Sequence, residues 1–214
     1  MGDFSLYLEL GWQHITDLKG IDHILFVTAL CLRYQLADWK KILILITAFT
    51  IGHSITLALS VFNIIRIDQS WIEFLIPITI LITAFHNLAT PKKSKHKNLP
   101  IQYYYALFFG FIHGMGFSNY LKSLLGKDES IVLQLLAFNI GLEIGQLLIV
   151  LAVIMVSFVS IKLIKINQRE FLLFVTAVII TVATQMVIER NPFKRTKEIV
   201  AIVAPTLHQH TNQN

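Results

Sequence analysis

Long apolar runs separated by short polar breaks set the rhythm of this chain. Six stretches, at roughly 19–37, 40–62, 71–90, 101–121, 131–161 and 171–188, approach the about 20 apolar residues that a hydrocarbon core of about 30 Å demands of a helix. The runs are continuous and not alternating, which predicts helices, since a lipid-embedded backbone must satisfy its own hydrogen bonds. The fifth is long enough to tilt or to project beyond the bilayer. The expected fold is therefore all-α, a polytopic transmembrane helix bundle of about six spans. Ahead of the first run, the mixed segment FSLYLELGWQHI at 4–15 predicts a short N-terminal interfacial helix, with Tyr7 and Trp12 at headgroup depth. The basic, proline-bracketed linker TPKKSKHKNLP, Thr90 to Pro100, divides the bundle into two halves. Residues 1–190 form one transmembrane domain, and 191–214 a polar, basic C-terminal tail.

Composition agrees: 55% of residues are hydrophobic, 14% are charged, and mean hydropathy is +0.64, outside the range of ordinary soluble domains. The net charge of +5 does not imply nucleic acid, because the lysines and arginines cluster between apolar runs and not along one face. Ten of them (Arg33, Lys40, Lys41, Lys92, Lys93, Lys95, Lys97, Lys162, Lys165 and Arg169) follow spans one, three and five, against Lys19, Arg66, Lys122 and Lys127 on the other side. The positive-inside tendency then makes the odd connections cytoplasmic, although Arg190, Lys194, Arg195 and Lys197 in the tail pull the other way. The opening MGDFSLYLEL lacks the charge and cleavage pattern of a signal peptide. Cys31 is the single cysteine, so no intrachain disulfide forms. No phosphate-binding loop is present to couple the chain directly to ATP.

An ionisable side chain in a span costs about 2.5 to 3.5 kcal/mol on insertion scales. Yet Asp22 and His23 open the first run, His53 lies in the second, His113 in the fourth and Glu143 in the fifth. Counted from the span ends, they occupy overlapping depths in the outer half of the membrane. Asn139, Glu143 and Gln146 share one helical face, while Gly141 and Gly145 form a small-xxx-small pattern that admits a neighbouring helix. Gly110, His113, Gly114 and Phe117 repeat the device in the fourth run.

Imidazole and carboxylate together suit zinc, nickel, cobalt or iron, whereas calcium and magnesium prefer all-oxygen sites. The metal set expected is His23, His53, His113, Asp22 and Glu143, with Asn139 and Gln146 as residues that orient the ligands. His14 fits a ligand or entry gate as well as it fits a surface residue. His86 marks either an exit or a structural pair with Asn87, and His96, His208 and His210 belong to the loop and tail. A hydrogen-bonded polar layer that merely holds helices together is the plain alternative.

Four fragments carry a family resemblance: GWQHITDLKGIDHILF, GHSIT, GFIHGMGFSNYL and FNIGLEIGQ. Together they resemble the HupE/UreJ family of membrane proteins, named after accessory proteins of hydrogenase and urease gene clusters. The resemblance implies a nickel or cobalt permease in a bacterial inner membrane, its N-terminal motif falling on His14, Gly20, Asp22 and His23. His14 precedes Asp22 by eight residues, a wider spacing than in hydrogenase-type members, and no proline follows it.

The leading expectation is a permease for a divalent transition metal, with the lipid bilayer and the metal ion as its partners. A homo-oligomer or metalloenzyme-maturation partners are compatible with it. The rival is an intramembrane zinc-dependent hydrolase in which Glu143 or Asp22 acts as general base. A haem-binding electron carrier with histidine axial ligands is the third class. A permease needs polar groups that continue to the cytoplasmic side; a hydrolase does not.

Overall fold

The computed structural model describes residues 2–18, 20–89, 99–124 and 131–193. Lys19, Lys127, residues 90–98 of the basic linker and the tail from Lys194 onward lie outside the described residues.

The described chain is all-α: α1 Gly2–Thr16, α2 Asp22–Cys31, α3 Trp39–Val61, α4 Gln69–Ala89, α5 Leu99–Gly116, α6 Ser118–Leu124, α7 Ile131–Phe158 and α8 Gln168–Glu189. A short 3-10 turn precedes α3 and a π turn, Val159–Leu163, extends α7. Local chemistry sets several boundaries. Asn167 caps α8 by accepting the Arg169 N–H at 2.9 Å. Beyond α3, Asn63 takes the left-handed conformation, φ 59°, which asparagine tolerates better than most residues.

Among the described residues, four helical segments are long and apolar enough to cross a membrane: Leu36–Val61, Gln69–Ala89, Ile131–Leu163 and Gln168–Glu189. On α7 the side chains of Leu133, Leu136, Ile144, Leu147, Leu148, Leu151 and Met155 are exposed. So broad an apolar surface has no place in water and is the surface expected against lipid. The core comprises Phe26, Phe49, Phe138, Leu45, Leu57 and Leu142, all nearly inaccessible.

Two helix pairs approach to backbone contact. Between α3 and α5, a Cβ on Gly52 would lie 2.2 Å from the Leu107 carbonyl oxygen, and one on Gly114 2.3 Å from that of His53. Between α1 and α7, a Cβ on Gly141 would lie 1.9 Å from the Leu8 oxygen, and one on Gly11 2.0 Å from that of Phe138. Only glycine permits either contact.

These contacts change the expected N-terminal half. α1 is packed against the bundle along one face: its glycines are pressed on α7, Ile15 is fully buried and Tyr7 donates to the Leu124 carbonyl at 3.1 Å, while Leu6 on the opposite face is exposed. The run at 19–37 becomes α2, whose ten residues span only about 15 Å. The run at 101–121 divides into α5 and α6. Hydropathy reported how apolar these runs are, and the start of α2 at Asp22 and the break at Phe117 shortened the helices within them.

Candidate metal centre

Four helices, α1, α2, α3 and α5, each bring one imidazole to the middle of the bundle. His14 stands near the end of α1, His23 in the first turn of α2, His53 in mid-α3 and His113 in the last turn of α5. The glycine contacts place them: Gly110 and Gly114 seat α5 on the backbone beside His53, and Gly11 lets α1 carry His14 inward along α7.

Ring centroids of His14 and His23 are 4.6 Å apart, those of His23 and His113 5.1 Å, and those of His14 and His53 6.0 Å. His14, His23 and His53 each offer a ring nitrogen, and the three atoms lie within 4.8 Å of one another. Ligands of a tetrahedral ion at about 2.05 Å would stand about 3.3 Å apart, so small side-chain rotations close the set.

Hydrogen bonding singles out the same atoms. His14 Nε2, His23 Nε2, His113 Nδ1 and both ring nitrogens of His53 are buried and without a hydrogen-bond partner. His53 and His113 have no accessible surface at all. Buried polar atoms left unpaired cost about 1–3 kcal/mol each, and natural proteins seldom gather several in one place. A bound cation that accepts nitrogen lone pairs removes the cost. Aromatic rings enclose the group: Phe117 lies 3.8 Å from His14 and Phe138 6.4 Å from His53, measured between centroids.

Of the other expected site residues, Asp22 shares a cavity with His14, His23 and His113, while Glu143 and Gln146 are engaged by threonines of α3. Asp22 receives both terminal nitrogens of Arg190, at 2.8 and 3.2 Å. Glu143 accepts from the Thr47 hydroxyl at 2.8 Å, and Gln146 accepts from Thr50 at 2.7 Å. Asn139 Oδ1 and Gln146 Nε2 are buried without a partner.

A cavity of about 380 Å³ opens against one side of the cluster, lined by His14, His23 and His113 together with Asp17, Asp22, Glu73 and Arg190. Carboxylates outnumber the guanidinium there, and such a pocket concentrates cations. Over residues 1–190 the sequence matches the family described as HupE / UreJ protein.

The chain belongs to the HupE/UreJ family. HupE/UreJ membership together with four apolar helices of spanning length identifies an integral membrane protein, and the family points to nickel or cobalt handling. No curated protein and no solved structure matches the chain.

The HupE/UreJ chain has a second cavity at the other end of the core, its wall largely apolar with several polar groups set into it. About 170 Å³ in volume, it is lined by Arg33, Tyr34, Thr83, His86, Asn87 and Gln102, among others. There Arg33 donates to the Asn87 carbonyl at 2.9 Å, and Asn87 donates to the Ala29 carbonyl at 2.7 Å. The Tyr34 hydroxyl donates to the Gln102 side-chain oxygen. Between the two cavities stand Phe26, Phe49 and Phe109. Phe26 is 4.9 Å from Phe49, 5.9 Å from Phe109 and 5.0 Å from His113, centroid to centroid.

Sequence reasoning left several participants unrecognised. Arg190 figured only as part of a basic tail, since its acidic partner is 168 residues away. Thr47 and Thr50 are ordinary helix residues until α7 lies against them. The phenylalanines resemble generic core, and only their position between two cavities distinguishes them.

Proposed function

We propose that this protein is a permease for a divalent transition metal of the nickel and cobalt class, and that His14, His23 and His53 bind the ion in transit. The observation that carries the reading is His53, which is wholly buried with both ring nitrogens unpartnered and has nitrogens of His14 and His23 within reach. Neutral imidazoles are preferred ligands of nickel, cobalt and zinc, and a chain that gains nothing from the arrangement would have satisfied those atoms internally.

In this reading α2 and α5 join the four long helices in the bilayer, giving the six membrane-embedded segments expected from hydropathy. The carboxylate-lined cavity is the entry vestibule and faces outward, with the connections after α2, α4 and α7 in the cytoplasm. Asp17, Asp22 and Glu73 gather the cation. The three imidazoles replace part of its hydration shell. Phe26, Phe49 and Phe109 separate that site from the inner cavity, so passage requires the aromatic layer to part, as alternation between an entry-open and an exit-open state would do. Binding must be strong enough to admit the ion and weak enough to release it.

The polar groups of the second cavity favour transport over hydrolysis, because a hydrolase has no use for polar groups beyond its metal. A zinc hydrolase keeps one supporting feature: three imidazoles beside an open cavity match a catalytic zinc set.

The test is accumulation of nickel, cobalt or zinc by proteoliposomes holding the purified chain, with His53→Ala alongside. Uptake of nickel or cobalt above empty liposomes, lost in His53→Ala, is the expected result. Uptake equal to that of empty liposomes for every ion would overturn the permease, and tightly held zinc in the same preparation would move the assignment to the hydrolase.

A further inference from the structure

Thr79 on α4 touches the cluster from outside, and its hydroxyl has a single hydrogen to give. That hydrogen is committed: Thr79 Oγ1 lies 2.6 Å from the Ile76 carbonyl oxygen, a distance two oxygens hold only when a proton lies between them. The same Oγ1 is 3.1 Å from His113 Nε2. With its own hydrogen spent, the hydroxyl oxygen can only accept, so Nε2 carries the ring proton and donates it. A neutral imidazole protonated at Nε2 has its lone pair on Nδ1, the atom of His113 that is buried without a partner.

The ring is held in that attitude on its other sides. His23, Phe26 and Phe49 pack on it with centroids at 5.1, 5.0 and 5.3 Å. Thr79 itself is 2% exposed, so water does not compete for the contact. Ligating imidazoles characteristically hand their second N–H to an oxygen that fixes tautomer and orientation. Here that oxygen belongs to a hydroxyl already anchored to its own helix.

We propose that Thr79 is a positioning residue that locks His113 as the Nε2–H tautomer, so that Nδ1 completes a four-imidazole set with His14, His23 and His53. The inference rests on the metal reading above and adds to it a fourth nitrogen ligand and the residue that prepares it. Four neutral nitrogens and no carboxylate would favour the later first-row divalent ions over magnesium or calcium.

Two measurements test it. The first needs no metal: nitrogen NMR of the apo chain labelled with ring-15N histidine, with His113→Gln to identify the signal. A bare Nδ1 and protonated Nε2 on His113, giving way to a mixture of tautomers in Thr79→Val and restored in Thr79→Ser, is expected. A proton on Nδ1 in the wild type overturns the proposal. The second is cobalt titration of the detergent-solubilised chain, read from the visible bands of the bound ion. Thr79→Val should weaken binding about 10- to 100-fold, Thr79→Ser should stay near wild type, and His113→Ala should change the band pattern. Cobalt bound by the wild type, lost in His53→Ala but unchanged in His113→Ala and Thr79→Val, would overturn the fourth ligand and leave the permease reading intact. No cobalt binding by the wild type would overturn both, whatever the tautomer.

Discussion

His53 concentrates the residue-scale argument, because it is a buried imidazole with both nitrogens unpartnered, and the proposed metal site gives its lone pair a partner. Asp22 and Arg190 show the opposite economy: each charge is matched, and the pair fastens the end of α8 to the start of α2. The Asp22 side chain is 12% exposed and that of Arg190 29%, so screening by solvent is incomplete. Asp22→Asn is expected to lower stability by about 1.5–3 kcal/mol, the range for a hydrogen bond to a charged group, seen as an earlier thermal transition in detergent. Arg190→Lys should recover only part of the difference from Arg190→Gln, since an ammonium cannot bridge both carboxylate oxygens as the guanidinium does. Equal transitions for Asp22→Asn and wild type would mean the pair is ornamental. His23, His53 and His113 were legible in the sequence because an ionisable group in an apolar run is costly enough to stand out. His14 was legible only as an even choice between a ligand or entry gate and a surface residue, as it sits in a mixed segment where a surface histidine costs nothing. Arg190 was not legible, since its meaning depends on a contact across almost the whole chain.

At the scale of elements, the glycines decide where the histidines can go. Gly114→Val would set a branched side chain where even a Cβ meets the His53 carbonyl oxygen and the Thr56 hydroxyl at 2.3 Å. The helices must separate, and the cost should reach or exceed the about 1–3 kcal/mol typical of overpacking. Loss of cobalt binding together with a lowered thermal transition is the expected outcome. Gly20 offers the contrast: a Cβ there meets nothing nearer than 3.9 Å, so Gly20→Ala should leave both properties close to wild type. Normal cobalt binding by Gly114→Val would show that α3 and α5 need not touch for the site to form. The small-xxx-small pattern of Gly141 and Gly145 was readable as a docking face, but its occupant was not. Periodicity describes one helix at a time, and α1 was too short and too mixed to advertise itself as a partner for α7.

For the whole molecule, the proposed permease would make the two cavities, with the phenylalanines packed between them, a closed passage. Phe26 is its centre, in contact with Phe49, Phe109 and His113. Phe26→Ala should let nickel leak down its gradient from preloaded liposomes faster than wild type, and Phe26→Leu, which retains most of the bulk, should leak less than the alanine variant. If neither variant changes the leak, the passage does not run between the cavities. The all-helical class followed from hydropathy, because the length and continuity of apolar runs exclude other membrane folds. The closed passage did not, because it depends on which buried rings lie between which pockets.

The contact between α1 and α7 also has a meaning in time. Gly11 and Gly141 are separated by 130 positions in the chain, and at about 5–20 residues per second the ribosome delivers α7 roughly 6 to 26 seconds after α1. Until then the glycine face of α1 has no partner and His14 has no fixed address. Three histidines can be in the membrane while the fourth still waits for its carrier to be seated. The nascent chain thus holds the four histidines of the proposed site apart during most of its synthesis, and an ion would first meet the complete set only when the protein is nearly whole.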